Sequence, residues 1–358
     1  MISIAKPNVG AEEKEAVCKI IDSGMIACGK VTEAFEEEFS SYIGTKHGIA
    51  TTSGTTALEV AIKSLGIGKG DKVLTTAFSF IATANAILYS GAIPVFVDIE
   101  EDSYNIDPDL IEEKLQEQPE IKAVLIVHLF GLPCQMDRIK EIVDRHHVML
   151  IEDCAQAHGA FFQEKKVGSF GDAAAFSFYP TKNMTTGEGG IVLTNHDDVA
   201  KKARLLINHG MEIRYHHKEI GYNYRMTNMA AAMGQVQLSK LEKFNERRRA
   251  NADRYICGIH NTKIIMPEMS EGHVFHQFTI RVKDGLRDRF TAFLEENGVG
   301  YGVFYPLSMP EQECYKQYGF ETHFPIVDCI KQEVVSIPVH PLLTDEEVDM
   351  IISVINRF

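Results

Sequence analysis

The chain has 358 residues, 45% of them hydrophobic, enough for one large domain, a smaller partner domain and a full core. Its net charge of −14, from 36 basic and 50 acidic residues, argues against general nucleic-acid binding. The seven cysteines (18, 28, 134, 154, 257, 314 and 329) are scattered without a CxxC pair, which points to reduced thiols in a cytoplasm and away from a disulfide frame or a zinc site.

The opening MISIAKPNVGAEEKE meets a proline and then charges before any apolar run, so no secretory signal is expected. The pattern predicts a helix from Glu12 to Ser23, a strand from Gly48 to Thr51, a helix from Thr55 to Ser64 and a strand from Lys72 to Thr75. Val73 to Val97 carries no charge and is long enough to cross a bilayer. Thr, Ser, Asn, Gly91 and Pro94 punctuate it, so it reads as strand, loop, helix (Ile81 to Tyr89) and buried strand (Ile93 to Asp98). Asp107 caps a helix with Pro108 at its first position. A strand (Ala123 to Val127), a helix (Met136 to His146) and a strand (Val148 to Asp153) follow, and this alternation predicts an α/β fold with a mostly parallel sheet covered on both faces. The histidine pairs His146/His147 and His216/His217 are adjacent rather than three or four apart, a poor spacing for a metal.

Two further apolar runs, Ala173 to Tyr179 and Gly190 to Thr194, flank a polar link centred on Lys182. A lysine on a loop between buried strands can be desolvated, which lowers its pKa and frees a neutral amine to attack a carbonyl, the usual protein handle on pyridoxal phosphate. Out of context the same residue reads as a solvated loop lysine. Near Thr227 a long helical run begins, apolar in its first half and charged in its second, and reads as a connector. A strand-like run (Val274 to Val282), a helix (Leu286 to Asn297) and a last helix opened by the capping box Thr344-Asp345-Glu346-Glu347 complete the chain. The division expected is a large domain, 1–245, and a small C-terminal domain, 246–358.

A phosphorylated aromatic aldehyde needs an amine, an anion site, an acid for its ring nitrogen and a flat apolar surface. Ser53-Gly54-Thr55-Thr56 opens a helix, where free N–H groups suit a phosphate as well as a simple N-cap. Asp153 ends the strand VMLIED at the carboxyl edge, where it can keep a pyridine nitrogen protonated or merely cap a helix. Gln156 is a candidate for the phenolic oxygen and Phe78 for the ring face, although Phe78 taken alone reads as core. Ser177 alternates with Phe176 and Phe178, so its hydroxyl faces the side of the lysine loop. Between Asn208 and Arg225 the chain is locally basic (Arg214, Lys218, Arg225, His209, His216, His217), which suits a pyrophosphate or a mixed-charge solvated loop equally.

The segments SGTTAL (53–58), EDCAQAHGA (152–160), FSFYPTKN (176–183), TTGEGG (185–190) and GYNYRMTN (221–228) occur in this order in the DegT/StrS-type family of sugar-nucleotide aminotransferases, which the chain resembles over nearly its whole length. The resemblance implies an aspartate aminotransferase-like fold (PLP fold type I), pyridoxal 5'-phosphate as cofactor and a homodimer with active sites at the subunit interface. It implies Lys182 as Schiff-base lysine, Asp153 at the pyridine nitrogen and Gln156 near the phenolic oxygen. Gly54, Thr55 and Ser177 are implied at the phosphate, Phe78 as stacking aromatic, and Asn223 at the phosphate of the partner subunit's site. The reaction implied moves the amino group of L-glutamate to a nucleotide-linked keto-hexose, giving an amino sugar for polysaccharide or natural-product biosynthesis. Glu188, His209, Arg214 and Tyr305 are the candidate substrate contacts. The segment 185–190 resembles members acting on 4-keto sugars, with Glu188 and the hydroxyls of Thr185 and Thr186 expected to line the sugar pocket. Met309-Pro310 stands where many relatives carry Leu-His, so a substrate contact through that histidine does not carry over. The alternatives are a sugar dehydratase on the same fold, which replaces the lysine with histidine, and a non-catalytic regulator that kept the fold.

Overall fold

The computed structural model describes residues 1–358. The first half runs α1 (Ala11–Ser23), α2 (Lys30–Ile43), β1 (His47–Thr51), α3 (Gly54–Ser64), β2 (Lys72–Thr76), α4 (Ala82–Tyr89), β3 (Ile93–Val97), α5 (Pro108–Glu117), β4 (Ile121–Val127), α6 (Met136–His146) and β5 (Met149–Asp153). A short ribbon, β6 (Phe161–Phe162) and β7 (Lys165–Lys166), precedes β8 (Ala173–Ser177), β9 (Gly190–Thr194) and α7 (Asp197–Ile207). A second ribbon, β10 (Met211–Ile213) and β11 (His216–His217), leads to α8 (Asn228–Gly258). The remainder comprises β12 (Ile264–Ile265), β13 (Phe278–Val282), α9 (Arg287–Glu296), α10 (Pro325–Glu333), β14 (Val334–Ile337) and α11 (Asp345–Arg357).

Seven strands form the main sheet in the order β1-β9-β8-β5-β4-β2-β3. The pairs β2/β3, β2/β4, β4/β5 and β5/β8 are parallel, whereas β9 is antiparallel to both β8 and β1. The sheet is therefore mostly parallel, as the alternation predicts, with one reversal at the lysine segment. That reversal has a local cause: no crossover helix separates β8 from β9, and the 12 residues between them turn the chain straight back. The uncharged stretch 73–97 is β2, α4 and β3, and no helix is long and apolar enough to cross a membrane. All seven cysteines are unpaired.

Periodicity overlooked α2, α7 and α10. Of these, α2 places Phe35 and Phe39 fully buried against the sheet. Phe39 packs edge-on against Phe176 (centroids 5.1 Å apart) and Phe178 (5.3 Å), so the strand leading to the lysine is clamped by aromatic edges. A second core gathers Ala252, Tyr255, Phe278, Phe290, Val335 and Ile351, with Ile2 from the opposite end of the chain, which pairs with Val299. The helix α8 is continuous from Asn228 to Gly258, so the boundary expected near 245 falls inside a helix. Its first part packs on α1 and α2, while Ala252 and Tyr255 enter the second core.

One close approach registers α3 against the sheet. A Cβ on Gly190 would lie 2.3 Å from the Ser53 carbonyl oxygen and 2.8 Å from the Gly54 nitrogen, so a side chain at 190 would push the first turn of α3 away from β9. Gly190→Ala is expected to cost about 1–3 kcal/mol, the usual range for overpacking. The measurement is the urea midpoint, and an unchanged midpoint would show that the helix start yields without cost.

Candidate active site

The carboxyl ends of β5 and β8, the start of α3, the lysine loop and the segment 304–305 enclose a cavity of about 410 Å³. The volume suits a small-molecule ligand. Among its lining residues are Ser53, Gly54, Thr55, Asp153, Gln156, Ser177, Lys182, Glu188 and Tyr305.

The loop carrying Lys182 is closed by backbone bonds from Phe178 N–H to the Gly189 carbonyl (2.9 Å) and from Thr186 N–H to the Phe178 carbonyl (3.0 Å). The lysine amine enters no ion pair and no hydrogen bond. Burial pulls its pKa down to about 8, and attraction to the Asp153 carboxylate opposes this only in part. Asp153 is 4% exposed. Its Oδ2 accepts from the Thr83 hydroxyl (2.8 Å) and its Oδ1 from the Ala155 N–H (3.1 Å). Burial raises the Asp153 pKa, and these donors, with the Lys182 charge, act against the rise. Glu152, one residue earlier, points to the other face of the sheet. It accepts from His128 Nε2 (3.1 Å) and from the N–H groups of Gly168, Phe170 and Gly171. His128 Nδ1 accepts the Cys134 N–H (3.1 Å), which leaves Nε2 to donate to Glu152. With those lone pairs in use, His128, Glu152 and nearby Cys154 are a structural network and not a metal site.

At the start of α3, Ser53 Oγ accepts the Thr56 N–H (3.2 Å) and Thr56 Oγ1 accepts the Ser53 N–H (3.0 Å). The reciprocal cap leaves the N–H groups of Gly54 and Thr55 without an intrahelical acceptor. A Cβ on Gly54 would fall 2.5 Å from Ser177 Cβ, so only glycine lets the helix start and the Ser177 hydroxyl meet here. Both readings of SGTT hold together: the cap is made by Ser53 and Thr56, and the first-turn amides remain for an anion. Gln156 is fixed between the Phe130 N–H, which its Oε1 accepts (2.8 Å), and the Tyr305 hydroxyl, to which its Nε2 donates (3.1 Å).

Six expected residues stand outside this chain's own cavity, of which Asn223 is the one the resemblance implies at the partner subunit's site. Phe78 does not line the cavity: its N–H donates to Thr76 Oγ1 (3.1 Å), the chain turns, and its ring is fully buried in the core. Two residues on, Phe80 does line the cavity, 54% exposed, with its centroid 6.2 Å from that of Tyr305, another lining residue. Thr185 and Thr186 do not line the cavity, because their hydroxyls donate to the backbone carbonyls of Phe178 and Glu188 (2.8 Å each). His209 and Arg214 lie outside it on the exposed segment around β10 and β11, where the Arg214 guanidinium sits over the Tyr215 ring. Asn223 is likewise exposed and outside its own chain's cavity, its Oδ1 held by Arg225 (2.9 Å). Met309 is buried in the core.

Sequence reading missed Thr83 and His276. Thr83 stands four residues after Ser79 at the start of α4, and the two hydroxyls are 3.1 Å apart, a spacing that could have flagged the pair. His276 lines the cavity and is held through Nδ1 by Asn183 Oδ1 (3.3 Å), whose amide is fixed in turn by Asn245 and the Val274 carbonyl. No local signal marks it, since 93 residues separate it from Asn183.

The amine without a partner, the amides at the helix start, the glycine that a Cβ would block and the buried carboxylate together fit pyridoxal phosphate. Against known proteins, the profile of the DegT/DnrJ/EryC1/StrS aminotransferase family matches residues 7–356. The chain is 37% identical over 356 residues to a pleiotropic regulatory protein of Geobacillus stearothermophilus, with 96% of this chain and 95% of that one covered. It is 38% identical over 342 residues to a UDP-N-acetyl-3-dehydro-alpha-D-glucosamine 3-aminotransferase of Acidithiobacillus ferrooxidans, with 95% and 91% covered. Among solved structures it is similar to S. venezuelae DesV, with a TM-score of 0.92 and 35% identity over 97% of this chain and 94% of that one.

An amine with a pKa of about 8 is mostly neutral only above that pH. In cofactor-free protein, borohydride-trapped labelling of Lys182 by pyridoxal phosphate should therefore speed up about tenfold from pH 7 to pH 9 and then level off. A lysine of ordinary pKa would gain roughly a hundredfold over the same span without levelling. Peptide mapping at each pH distinguishes the two.

Proposed function

The chain belongs to the DegT/DnrJ/EryC1/StrS family of pyridoxal phosphate-dependent aminotransferases, and we propose that it moves the amino group of L-glutamate to a keto-hexose carried on a nucleoside diphosphate. The observation that carries this reading is the desolvated Lys182 amine, free of any protein partner, in one cavity with buried Asp153 and the start of α3.

Pyridoxal phosphate supplies an aldehyde carbon for an amine and an electron-withdrawing ring. The residues divide the remaining work. The amides of Gly54 and Thr55 and the hydroxyl of Ser177 would hold the phosphate. Asp153, held by Thr83 and Ala155, would keep a proton on the ring nitrogen. Gln156, locked by Phe130 and Tyr305, would serve the phenolic oxygen, and Phe80 would take the stacking role expected of Phe78. Lys182 Nζ, near neutrality in its free-base form, takes the proton from the α-carbon of the donor and delivers it again on the way to product. The same base serves both half-reactions, so one lysine suffices for a glutamate half and a sugar half.

The segment 208–225 is assigned to the site of a second copy. Ile213, Tyr215 and Ile220 on it are 68%, 76% and 89% exposed, an apolar surface of the kind a two-fold partner covers. Asn223, His209 and Arg214 would then act on the neighbour's phosphate and nucleotide. In this reading the nitrogen goes to C4 of the hexose, and the residue that supports it is Glu188 at the cavity wall. A second reading, nitrogen at C3, is favoured by the 3-aminotransferase relative. The dehydratase alternative is opposed by the lysine at 182, and the regulator alternative by the assembled set Lys182, Asp153, Gln156 and Ser177.

With glutamate and matched 3-keto and 4-keto nucleotide sugars, NMR of the product should place nitrogen at C4. Turnover of the 3-keto substrate alone would transfer the assignment to C3, and Lys182→Ala should abolish turnover of both. Asn223→Ala and Lys182→Ala subunits, each inactive alone, should regain up to about a quarter of native activity when mixed, because a statistical mixed dimer restores one of its two sites. No recovery would place Asn223 outside the neighbour's site.

A further inference from the structure

Three arginines sit side by side on α8 with different fates. Arg247 pairs with Asp345 (2.7 Å). Arg249 is partly exposed. Arg248, between them, is only 5% exposed and enters no ion pair. Its NH1 donates to the backbone carbonyls of Phe275 (3.0 Å) and His276 (3.3 Å), while its buried Nε has no partner. Burial pulls this guanidinium down to about 9, and no carboxylate acts against that pull. The titratable groups that feel its charge are His158, His276 and His340, all held neutral by burial with the Arg248 charge adding to it. A buried cation without a countercharge is destabilising.

Arg248 lines a second, small cavity of about 10 Å³ beneath the lysine loop, together with Lys6, Asn8, Thr181, Lys182 and Gln237. No acidic residue lines it. Glu13, which meets the lining residue Gln237, is taken up by Gln237 (2.8 Å) and Lys240 (2.7 Å). Gln237 is itself fully engaged, since its Oε1 accepts the Thr185 N–H (3.3 Å). The space admits about one sphere of water size. A carboxylate with three heavy atoms is too large for it. Water fits but brings no charge.

We propose that this cavity binds one small monovalent inorganic anion of halide size, held by the Arg248 guanidinium below the Lys182 loop. The anion supplies the countercharge the fold omits. Through Arg248 NH1 it steadies the carbonyls of Phe275 and His276, and so the backbone of a residue that lines the active cavity. The inference stands apart from the substrate reading, because it concerns a second cavity and a different ligand.

The test is chlorine NMR on the holoenzyme, with gluconate replacing chloride at constant ionic strength. Native protein should broaden the chloride line in a saturable way that bromide displaces. Arg248→Gln should remove that excess broadening, while Lys6→Gln, which removes an exposed cation at the rim, should keep most of it. Absence of saturable broadening in the native protein, or its survival in Arg248→Gln, overturns the proposal. Should Arg248→Gln fail to fold, native crystals soaked in bromide decide it: an anomalous peak in this cavity within hydrogen-bond reach of the Arg248 guanidinium supports the site, and water alone there overturns it.

Discussion

The active cavity depends on a half-buried, poorly solvated amine beside a buried carboxylate. Burial favours the neutral form of Lys182, and Asp153 favours the charged one. The net effect is a pKa of about 8, so desolvation wins, though not by the whole of its own weight. That balance is what a lysine needs in order to work as nucleophile and as base near neutral pH. Moving Asp153 nearer would restore the ammonium form, and opening the loop to water would do the same.

The fold maintains the balance from both sides. On the lysine side, β8 and β9 run antiparallel, and their connection is tied down at Phe178 and Gly189, while the Phe176 and Phe178 rings are gripped by Phe39 of α2. On the carboxylate side, the pleat of β5 sends Glu152 and Asp153 to opposite faces. Glu152 is saturated by His128 and three amides and serves architecture. Asp153 receives two donors and keeps capacity for a ring nitrogen. Two adjacent acids thus differ in role because they differ in the number of donors around them.

Much of this was legible in order. Gly54, Thr55, Asp153, Gln156, Ser177, Lys182, Glu188 and Tyr305 meet in one cavity, because in an open α/β sheet the ends of strands and the starts of helices converge at the carboxyl edge. The aromatic was misplaced by two residues. Phe78 and Phe80 differ by no local preference, and only the turn after Thr76 decides which ring is core and which faces the cavity. The hydroxyls of Thr185 and Thr186 went astray for a related reason: a tight loop needs acceptors for itself and donors for its own carbonyls before it can spare any for a ligand.

The sequence by itself determined the alternation of elements, the lysine between two apolar runs, the acid at a strand end and the capped glycine at a helix start, because each is a property of a short window of side chains. Tertiary structure decided what no window contains. It set the reversal of β9, the engagement of His276 by Asn183 across 93 residues, the unpaired burial of Arg248 and the position of the exposed ribbon outside its own cavity. Each depends on which distant segment supplies the opposing surface, and burial, which sets the Lys182 pKa and strands the Arg248 charge, exists only once that surface has arrived.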